Sequence, residues 1–427
     1  MQRRQFVQLT GAVAATGAAS FLSGCATVGG GAGPKVVVIG GGFGGATAAK
    51  YIRMWSDQGI QVTLVEPNAA FVSCPISNLV LGGSKTMADI TTPYDNLAKR
   101  HGVKVVRDTA AGIDVEKRIV KLGSGGELPY DRVIVSPGVD FMWETLPGMN
   151  RPGAQDAVLH AWKAGPQTAA LRQRLEAMPN GGVYVLSIPE APYRCPPGPY
   201  ERACQVAHYF SKAKPRSKVI IVDGNDDVTS KGPLFKKAWA DRYKGIIEYR
   251  PKHKLTDVDV AGSTLKFEFS DDVKGNVLNV VPSMRAGDIA VRTGLATANR
   301  RWCEVDWLTF ESKAAKNVHV LGDAIQIAPA MPKSGHMANQ HAKTCAAAVV
   351  ALLTGKPVNP LPIYNNTCYS FVSDEDVVHV ASVHRYDAGQ KTMLTVPGSG
   401  GVSSAANELE GRYAMAWARN IWADSLA

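Results

Sequence analysis

Short apolar runs rich in β-branched residues alternate with helical stretches along this chain. The first run, residues 35–39, is followed by a helical stretch at 46–55 and a second apolar run at 62–65. Runs of the same kind recur within 130–138 and at 183–186 and 218–222. Apolar runs without polar alternation are typical of strands buried on both faces of a parallel sheet. The pattern predicts an α/β fold built on parallel sheets.

Glycines separate the first strand from the first helix. Gly40, Gly42 and Gly45 have the spacing G-x-G-x-x-G. In this motif the first glycine permits a tight turn, the second lets the backbone approach a pyrophosphate, and the third lets helix and strand pack closely. Glu66 ends the second strand, 21 residues after Gly45, where a carboxylate accepts hydrogen bonds from an adenosine ribose. Together these features predict a dinucleotide-binding site rather than a purely structural turn.

A second unit of the same kind begins at 183–186, but its turn has a different composition. Residues 187–201 read Ser-Ile-Pro-Glu-Ala-Pro-Tyr-Arg-Cys-Pro-Pro-Gly-Pro-Tyr-Glu, with five prolines where a dinucleotide site has glycines. Proline fixes φ, has no amide donor and fills the space that a phosphate needs. The second domain is therefore predicted to keep the fold without binding NAD(P)H, so that electrons come from another donor.

Composition limits the remaining choices. A chain of 427 residues, 45% hydrophobic and 20% charged, suggests two or three globular domains and excludes disorder and collagen. The net charge of +10 comes from scattered residues without a basic block, so we predict no nucleic-acid binding. An acidic protein partner or an anionic substrate would suit this charge equally well. We predict no metal site.

The N-terminal segment is predicted to be an export address. Arg3 and Arg4 precede a Gly/Ala-rich apolar run from Leu9 to Leu22, which resembles a twin-arginine signal and is too short for a spanning helix. Leu22-Ser-Gly-Cys25 resembles a lipobox, in which Cys25 is lipidated and anchors the protein to the membrane. Ordinary cleavage near Ala26 or Ala32 is the alternative. We expect a signal at 1–24, a linker at 25–34 and a periplasmic protein.

The cysteines fall into two groups. Cys204 and Cys345 lie in apolar helical stretches, at 203–210 and 342–353 respectively, and are predicted to be structural, as is Cys303. Cys74, Cys195 and Cys368 lie instead in loops rich in proline or polar residues. Because 173 residues separate the last two, the sequence alone does not show that they meet.

Four segments together resemble the flavoprotein subunit of flavocytochrome c sulfide dehydrogenase. They read Phe-Val-Ser-Cys-Pro-Ile-Ser-Asn at 71–78, Arg-Cys-Pro-Pro-Gly-Pro-Tyr-Glu-Arg-Ala at 194–203, Met-Pro-Lys-Ser-Gly at 331–335 and Asn-Thr-Cys-Tyr-Ser at 366–370. Three separated cysteine motifs appear in the family's order, and the resemblance covers essentially the whole chain. Sulfide:quinone oxidoreductases and disulfide reductase-like flavoproteins with two dinucleotide-binding domains are more distantly similar.

The resemblance implies an α/β fold with two Rossmann-like domains and a small C-terminal α+β domain. The FAD-binding domain would comprise 35–150 and 286–360. A degenerate NAD-type domain that carries the Cys195 loop would span 151–285, and the C-terminal domain would span 361–427. These boundaries are expectations.

The resemblance also implies roles for the three loop cysteines. Cys74 would carry FAD through an 8α-S-cysteinyl thioether, while Cys195 and Cys368 would form a redox-active disulfide beside the flavin. Pro75 departs from the family, in which the residue at this position is aromatic. This departure concerns the efficiency of flavin attachment rather than the cysteine itself.

Four further residues are candidates for the same site. Gly322 and Asp323 resemble the second FAD motif, in which the Asp binds the ribityl-phosphate region. Lys333 resembles a residue near the flavin's pyrimidine edge, with a solvated lysine as the alternative. Glu201, six residues after Cys195, is a candidate general base, with a helix-stabilising first-turn Glu as the alternative.

The implied activity is oxidation of sulfide. Hydrosulfide can attack a disulfide sulfur to leave a persulfide and a thiolate. This chain has no C-x-x-C-H haem motif, so the resemblance implies that haem c belongs to a separate c-type cytochrome subunit, in a heterodimer. The alternatives are a sulfide:quinone oxidoreductase and a non-catalytic, flavin-containing redox-binding subunit, although the presence of both disulfide cysteines argues against the second.

Overall fold

The structure, a computed structural model, describes residues 33–427. The predicted export signal, Cys25 and all but the end of the linker lie outside the described residues. The helices are α1 Phe43–Trp55, α2 Ser77–Gly82, α3 Asp95–Lys99, α4 Ala154–Ala157, α5 Pro166–Ala177, α6 Gly198–Ala213, α7 Gly232–Arg242, α8 Asp288–Arg292, α9 Gly335–Thr354 and α10 Glu408–Leu426. Short 3₁₀ helices span Ala88–Ile90, Trp143–Thr145, Pro147–Asn150 and Gly322–Ala324.

Most strands are short and belong to two parallel sheets or to small antiparallel ones. Those of the first half are β1 Lys35–Ile39, β2 Gln61–Val65, β3 Ala70–Val72, β4 Thr91–Pro93, β5 Lys104–Val106, β6 Ala110–Asp114, β7 Ile119–Leu122, β8 Glu127–Pro129, β9 Arg132–Val135, β10 Val139–Phe141, β11 Val183–Ile188 and β12 Lys218–Asp223. Those of the second half are β13 Ile247–Arg250, β14 Leu255–Asp259, β15 Thr264–Phe267, β16 Val273–Lys274, β17 Val277–Val280, β18 Met284–Ala286, β19 Val318–Val320, β20 Ile363–Phe371, β21 Val377–Asp387, β22 Thr392–Thr395 and β23 Gly401–Val402.

The first sheet has the parallel order β19-β9-β1-β2-β5. Val36 to Ile39 are buried, as expected for a central strand covered on both faces. Strand β19 joins this sheet from far along the chain, and α1 packs against α9. The carboxyl ends of these strands therefore meet segments from both the N-terminal and the C-terminal half.

The second sheet is also parallel, in the order β13-β12-β11-β17. Strands β10 and β18 pair antiparallel where the chain leaves the first sheet and returns to it. The C-terminal segment forms an antiparallel sheet of β20, β21, β22 and β23, and α10 packs on β21 and α1. The predicted fold class is confirmed.

Helix starts are the main difference from the sequence prediction. Helix α1 begins at Phe43 rather than at residue 46, and α6 begins at Gly198 rather than near residue 203. Glycine and proline are poor helix formers in helix interiors, but both are tolerated in a first turn, where amide hydrogens have no helical partner. The glycine turn and the proline-rich loop thus contribute directly to helix N-termini.

Candidate active site

A cavity of about 430 Å³ lies beyond the carboxyl ends of the first sheet. This volume falls within the usual range of ligand sites, and parallel sheets commonly bind ligands at this end. Segments from the whole described chain line it, including the glycine turn, the Cys74 loop, the Cys195 loop, the start of α9, strand β20 and helix α10. The predicted motifs therefore converge on one cavity.

The glycine turn has the geometry that its three positions predict. Gly40 has a φ of +94°, and a Cβ there would lie 2.4 Å from the Ser136 carbonyl oxygen. A Cβ on Gly45 would lie 1.8 Å from the Gly40 oxygen, so helix and strand need this glycine for their packing. A Cβ on Gly42 would meet no protein atom within 4 Å. Since Gly42 lines the cavity, that open space can receive a ligand.

Glu66 is buried and fastens the turn. Its Oε2 accepts a hydrogen bond from the Gly41 N–H at 2.7 Å, and its Oε1 accepts two from Asn68 at 2.7 and 2.8 Å. An ionised carboxylate has about four acceptor positions, so one remains for a hydroxyl donor in the cavity. Glu66 therefore has a structural role, and its contact with a ribose stays a prediction.

Asp323 presents an unsatisfied oxygen. It follows Gly322, whose φ is +75°, and its Oδ1 is buried without a hydrogen-bond partner among the described residues. Burial raises the pKa of Asp323, and the positive charges of Arg194 and Lys333 oppose the rise. A buried polar atom left without a partner is costly. This oxygen, the open space at Gly42 and the N-terminus of α1 together fit a dinucleotide cofactor such as FAD.

Lys333 is not among the residues that line the cavity, and its predicted place near a flavin edge stays a prediction. Its side chain is 2% exposed, so the solvated alternative is wrong. Its Nζ donates hydrogen bonds to the carbonyls of Asp323 at 2.9 Å and Ile325 at 2.6 Å, and it lies 3.6 Å from the centre of the Trp302 ring. Burial lowers the pKa of Lys333 to about 7. Lys333 therefore binds the backbone of the Asp323 segment without lining the cavity itself.

Cys74 lies on the loop between β3 and α2, half-buried at the cavity wall. Its sulfur accepts hydrogen bonds from the Arg194 guanidinium at 3.4 Å and from the Ala164 N–H at 3.5 Å. The same guanidinium group also binds the Trp162 carbonyl. A guanidinium group and a backbone N–H thus both contact the Cys74 sulfur at the cavity wall.

Cys195 has a left-handed backbone with a φ of +57°. Its N–H donates to the Lys333 carbonyl at 2.8 Å, and its carbonyl accepts from the Gly198 N–H at 2.9 Å. A Cβ on Gly198 would lie 2.9 Å from the Cys195 sulfur, so a side chain there would displace the thiol. Burial, followed by the nearby charge of Cys368, raises the pKa of the Cys195 thiol.

Cys368 reaches the same cavity from β20. Its sulfur contacts the Asn366 side chain, whose Nδ2 donates at 3.5 Å. Burial raises the pKa of the Cys368 thiol, and the Lys231 ammonium opposes that rise. Both Cys195 and Cys368 are free thiols in the structure, so the disulfide between them stays a prediction. The structure shows, as the sequence spacing could not, that Cys195 and Cys368 line the same cavity as Cys74.

Glu201 lies between the two cysteine segments in the first turn of α6, which agrees with both of its sequence interpretations. Its Oε2 accepts from Asn78 at 2.7 Å and its Oε1 accepts from the Phe371 N–H at 2.8 Å. Burial raises the pKa of Glu201. A carboxyl with a raised pKa that lines a cavity is suited to proton transfer near neutral pH.

The second nucleotide-type turn is filled by protein. Asp223 ends β12, where a dinucleotide site has its ribose-binding acid, but it is fully buried. Its Oδ2 accepts hydrogen bonds from the hydroxyls of Tyr200 at 2.7 Å and Tyr249 at 3.0 Å. The two tyrosine hydroxyls thus occupy the carboxylate that would bind a ribose. The proline-rich loop stands where a dinucleotide site has its phosphate-binding glycines.

Sequence reasoning gave no role to four residues that shape the site. Arg194 and Asn78 lie within the cysteine-containing segments and could have been singled out there. Lys231 and Trp162 gave no signal. The other cysteines, Cys204, Cys303 and Cys345, are fully buried, in agreement with a packing role. Within residues 33–427, no helix is both long enough and apolar enough to span a membrane.

Three family models match the chain. The model of the central region of the sulfide dehydrogenase [flavocytochrome c] flavoprotein chain matches residues 168–282, and the flavin-binding model of flavocytochrome c sulphide dehydrogenase matches residues 360–426. The pyridine nucleotide-disulphide oxidoreductase model matches residues 34–179. The proline-rich loop, Glu201 and Cys368 lie within the two flavocytochrome matches.

Curated relatives and a solved structure agree with these matches. The chain is 65% identical over 46 residues to the sulfide dehydrogenase [flavocytochrome c] flavoprotein chain of Chlorobaculum thiosulfatiphilum, covering 11% of this chain and 94% of that sequence. It is 27% identical over 315 residues to the mitochondrial sulfide:quinone oxidoreductase of Mus musculus, covering 69% of this chain. The match spans 66% of the mouse protein and 65% of its Dictyostelium discoideum counterpart, slightly under two thirds of each. The sulfide:quinone oxidoreductase structure from Aquifex aeolicus shares the fold, with a TM-score of 0.74 at 18% identity, covering 92% of this chain and 91% of that one.

Proposed function

Since this chain belongs to the flavoprotein family of flavocytochrome c sulfide dehydrogenase, we propose that it is an FAD-dependent enzyme that oxidises sulfide. One observation carries the proposal: Cys195 and Cys368 line the same cavity as the dinucleotide-binding turn, although they come from segments 173 residues apart. A cavity with two cysteines and a cofactor cradle is suited to passing electrons from a sulfur nucleophile to a flavin.

The proposed chemistry starts from a Cys195–Cys368 disulfide. Hydrosulfide attacks one sulfur, the S–S bond breaks, and its electron pair leaves on the other cysteine as a thiolate. A second hydrosulfide removes the added sulfur as a disulfane anion. Two hydrosulfides thus yield one disulfane anion, one proton and two electrons. FAD, when bound, accepts the two electrons that are released as the disulfide forms again.

Glu201 is proposed to take the proton. Its half-buried side chain lies beside both cysteine segments, and its two hydrogen bonds, from Asn78 and the Phe371 N–H, fix its orientation. Because burial raises its pKa, it can accept a proton from a bound sulfur species and release it again near neutral pH.

Cys74 is proposed to hold FAD covalently through an 8α-S-cysteinyl thioether. The supporting observation is that Cys74 lines the cavity, where hydrogen bonds from the Arg194 guanidinium and the Ala164 N–H fix the position of its sulfur. The rest of the cofactor would be bound by the open turn at Gly42, by Glu66 at the ribose and by Asp323 at the ribityl-phosphate region.

The electron donor is proposed to be a sulfur compound and not NAD(P)H. The supporting observations are the proline-rich turn and the enclosure of Asp223 by Tyr200 and Tyr249. In anaerobic stopped-flow measurements, sulfide should bleach the visible flavin absorbance, whereas millimolar NADH or NADPH should leave it unchanged on the turnover timescale. Rapid bleaching by a pyridine nucleotide would reject the proposal.

The electron acceptor is proposed to be a separate c-type cytochrome subunit that carries the haem, in a heterodimer located in the periplasm. The family membership supports this partner, and the twin-arginine motif and Cys25 support export with a lipid anchor. A quinone is the second candidate, because the chain is similar to sulfide:quinone oxidoreductases over most of its length. Sulfide-dependent reduction of cytochrome c, compared with that of a soluble quinone under the same conditions, distinguishes the two.

A further inference from the structure

A buried lysine reaches the Cys368 strand from outside the C-terminal sheet. Lys231 precedes α7 and is 7% exposed. Its Nζ donates hydrogen bonds to the Cys368 carbonyl at 2.9 Å, the Ser370 hydroxyl at 2.7 Å and the Val378 carbonyl at 3.3 Å. Ser370 and Val378 are register partners in β20 and β21, so the ammonium spans two strands directly beside Cys368.

Within the described residues, Lys231 forms no ion pair with a carboxylate. Removing an ammonium from water is costly unless an anion compensates it. Burial lowers the pKa of Lys231 to about 8, and the negative charges that oppose this shift belong to Cys368, Glu201, Cys195 and Glu410. The first three line the cavity. A sulfur anion in the cavity would therefore offset the cost of burying Lys231.

Lys214 provides a comparison. It is 8% exposed, and its Nζ donates to the carbonyls of Glu176 and Met178, so it too is a buried lysine held by neutral acceptors. Those acceptors lie at the end of α5, and Lys214 does not line the cavity. Lys214 is therefore a buried lysine that only binds backbone carbonyls, and it serves as the comparison for Lys231.

We propose that Lys231 is a positioning residue that stabilises negative charge on the sulfur of Cys368. This inference rests on the function proposed above. When hydrosulfide opens the disulfide, the electron pair of the broken bond leaves on one cysteine and the entering sulfur bonds to the other. Cys368 then carries either the thiolate or the persulfide, and both are anionic when deprotonated.

Several groups near the Cys368 sulfur raise or lower the pKa of its thiol. Lys231 lowers the pKa of the thiol, as do hydrogen bonds from the side chains of Asn366 and Ser334, whereas the Glu201 carboxylate raises it. Cys195 lies in the same cavity. Since these other groups remain when Lys231 is replaced, a change in the titration of Cys368 reports the lysine's charge.

The test is the pH dependence of alkylation of Cys368 in the reduced full-length holoprotein, with iodoacetamide as the probe and peptide mass spectrometry as the readout. Lys231→Gln keeps a hydrogen-bond donor and removes the charge, so the alkylation midpoint should rise by at least about one pH unit. Lys231→Arg should restore it towards the wild-type value. The matched control Lys214→Gln should leave it unchanged.

The wild-type protein gives a second measurement that needs no variant. The alkylation midpoint of Cys368 should lie below that of Cys195, because the Lys231 ammonium lowers the pKa of both thiols but is held directly on the Cys368 strand. The proposal is overturned if Lys231→Gln and wild type have the same midpoint, if Lys214→Gln shifts it equally, or if the wild-type order is reversed. Alkylation uses no sulfide, so failure of sulfide to bleach the wild-type flavin would reject the proposed function and leave this result standing.

Discussion

The Glu201 carboxylate accepts a hydrogen bond from the Phe371 N–H at 2.8 Å. This bond joins the first turn of α6, which begins three residues after Cys195, to the end of the strand that carries Cys368. The carboxyl that is proposed to move protons is therefore also a physical link between the two cysteine segments. Its two roles can be separated by experiment.

Replacing Glu201 with Gln should reduce sulfide-driven flavin reduction by about 100-fold or more, the usual contribution of a general base. Burial raises the pKa of Glu201, and a base acts when deprotonated, so its contribution should grow as pH rises through that pKa. Because hydrosulfide ionises equally for both proteins, the ratio of wild-type to Glu201→Gln rates should increase with pH. Stopped-flow measurements across pH values test this.

The stability of the same variant separates proton transfer from structure. The folded-state pKa of Glu201 lies above its unfolded value, so the protonated form stabilises the fold and ionisation at higher pH costs stability. The amide of Glu201→Gln has no ionisation cost but can accept only one of the two hydrogen bonds, so the melting temperature of the variant relative to wild type should rise with pH. A lower melting temperature together with a pH-independent rate ratio would show a purely structural role, and Glu144→Gln, at an exposed position, is the control.

Cys74→Ser should abolish covalent flavin attachment. Acid precipitation of the wild type should leave the yellow colour in the pellet, whereas the variant should release it to the supernatant. The buried cysteine variant Cys303→Ala serves as the matched control and should retain pellet colour. Release of free flavin from fully loaded wild-type protein would contradict the thioether.

Two glycine variants should separate cofactor binding from folding. Gly42→Ala places a methyl group in open space at the cavity, so it should lower the flavin-to-protein ratio and leave the melting temperature of the flavin-free protein unchanged. Gly45→Ala places a methyl group 1.8 Å from the Gly40 oxygen and should destabilise the flavin-free protein by about 1–3 kcal/mol or more. Equal losses of stability in the two variants would contradict the assignment.

The sequence predicted the sheets well because their strands are continuous apolar runs. Residues 35–39 form β1 as predicted, and the runs at 183–186 and 218–222 were only one or two residues too short. Helix starts were predicted too late, because Gly198 and Pro199 disfavour a helix by composition but fit its first turn.

The site was harder to predict, since it depends on contacts between distant segments. Residue type and spacing identified the glycine turn, but only the resemblance brought Cys195 and Cys368 together. The motif did not show that Lys333 is buried against the Asp323 and Ile325 carbonyls, because a motif does not specify where a long side chain points. Lys231 lies in no recognisable motif, and its burial against Cys368 follows from the packing of the C-terminal sheet.

The central claim is that Cys195 and Cys368 form the disulfide that hydrosulfide attacks. The most direct test is anaerobic sulfide-driven bleaching of the flavin in Cys195→Ser and Cys368→Ser, with Cys204→Ser, a buried cysteine outside the cavity, as the control. Both cavity variants should keep their flavin and fold, and both should lose bleaching to the same extent, while the control reacts as wild type does. Wild-type rates of bleaching in either cavity variant would contradict the account.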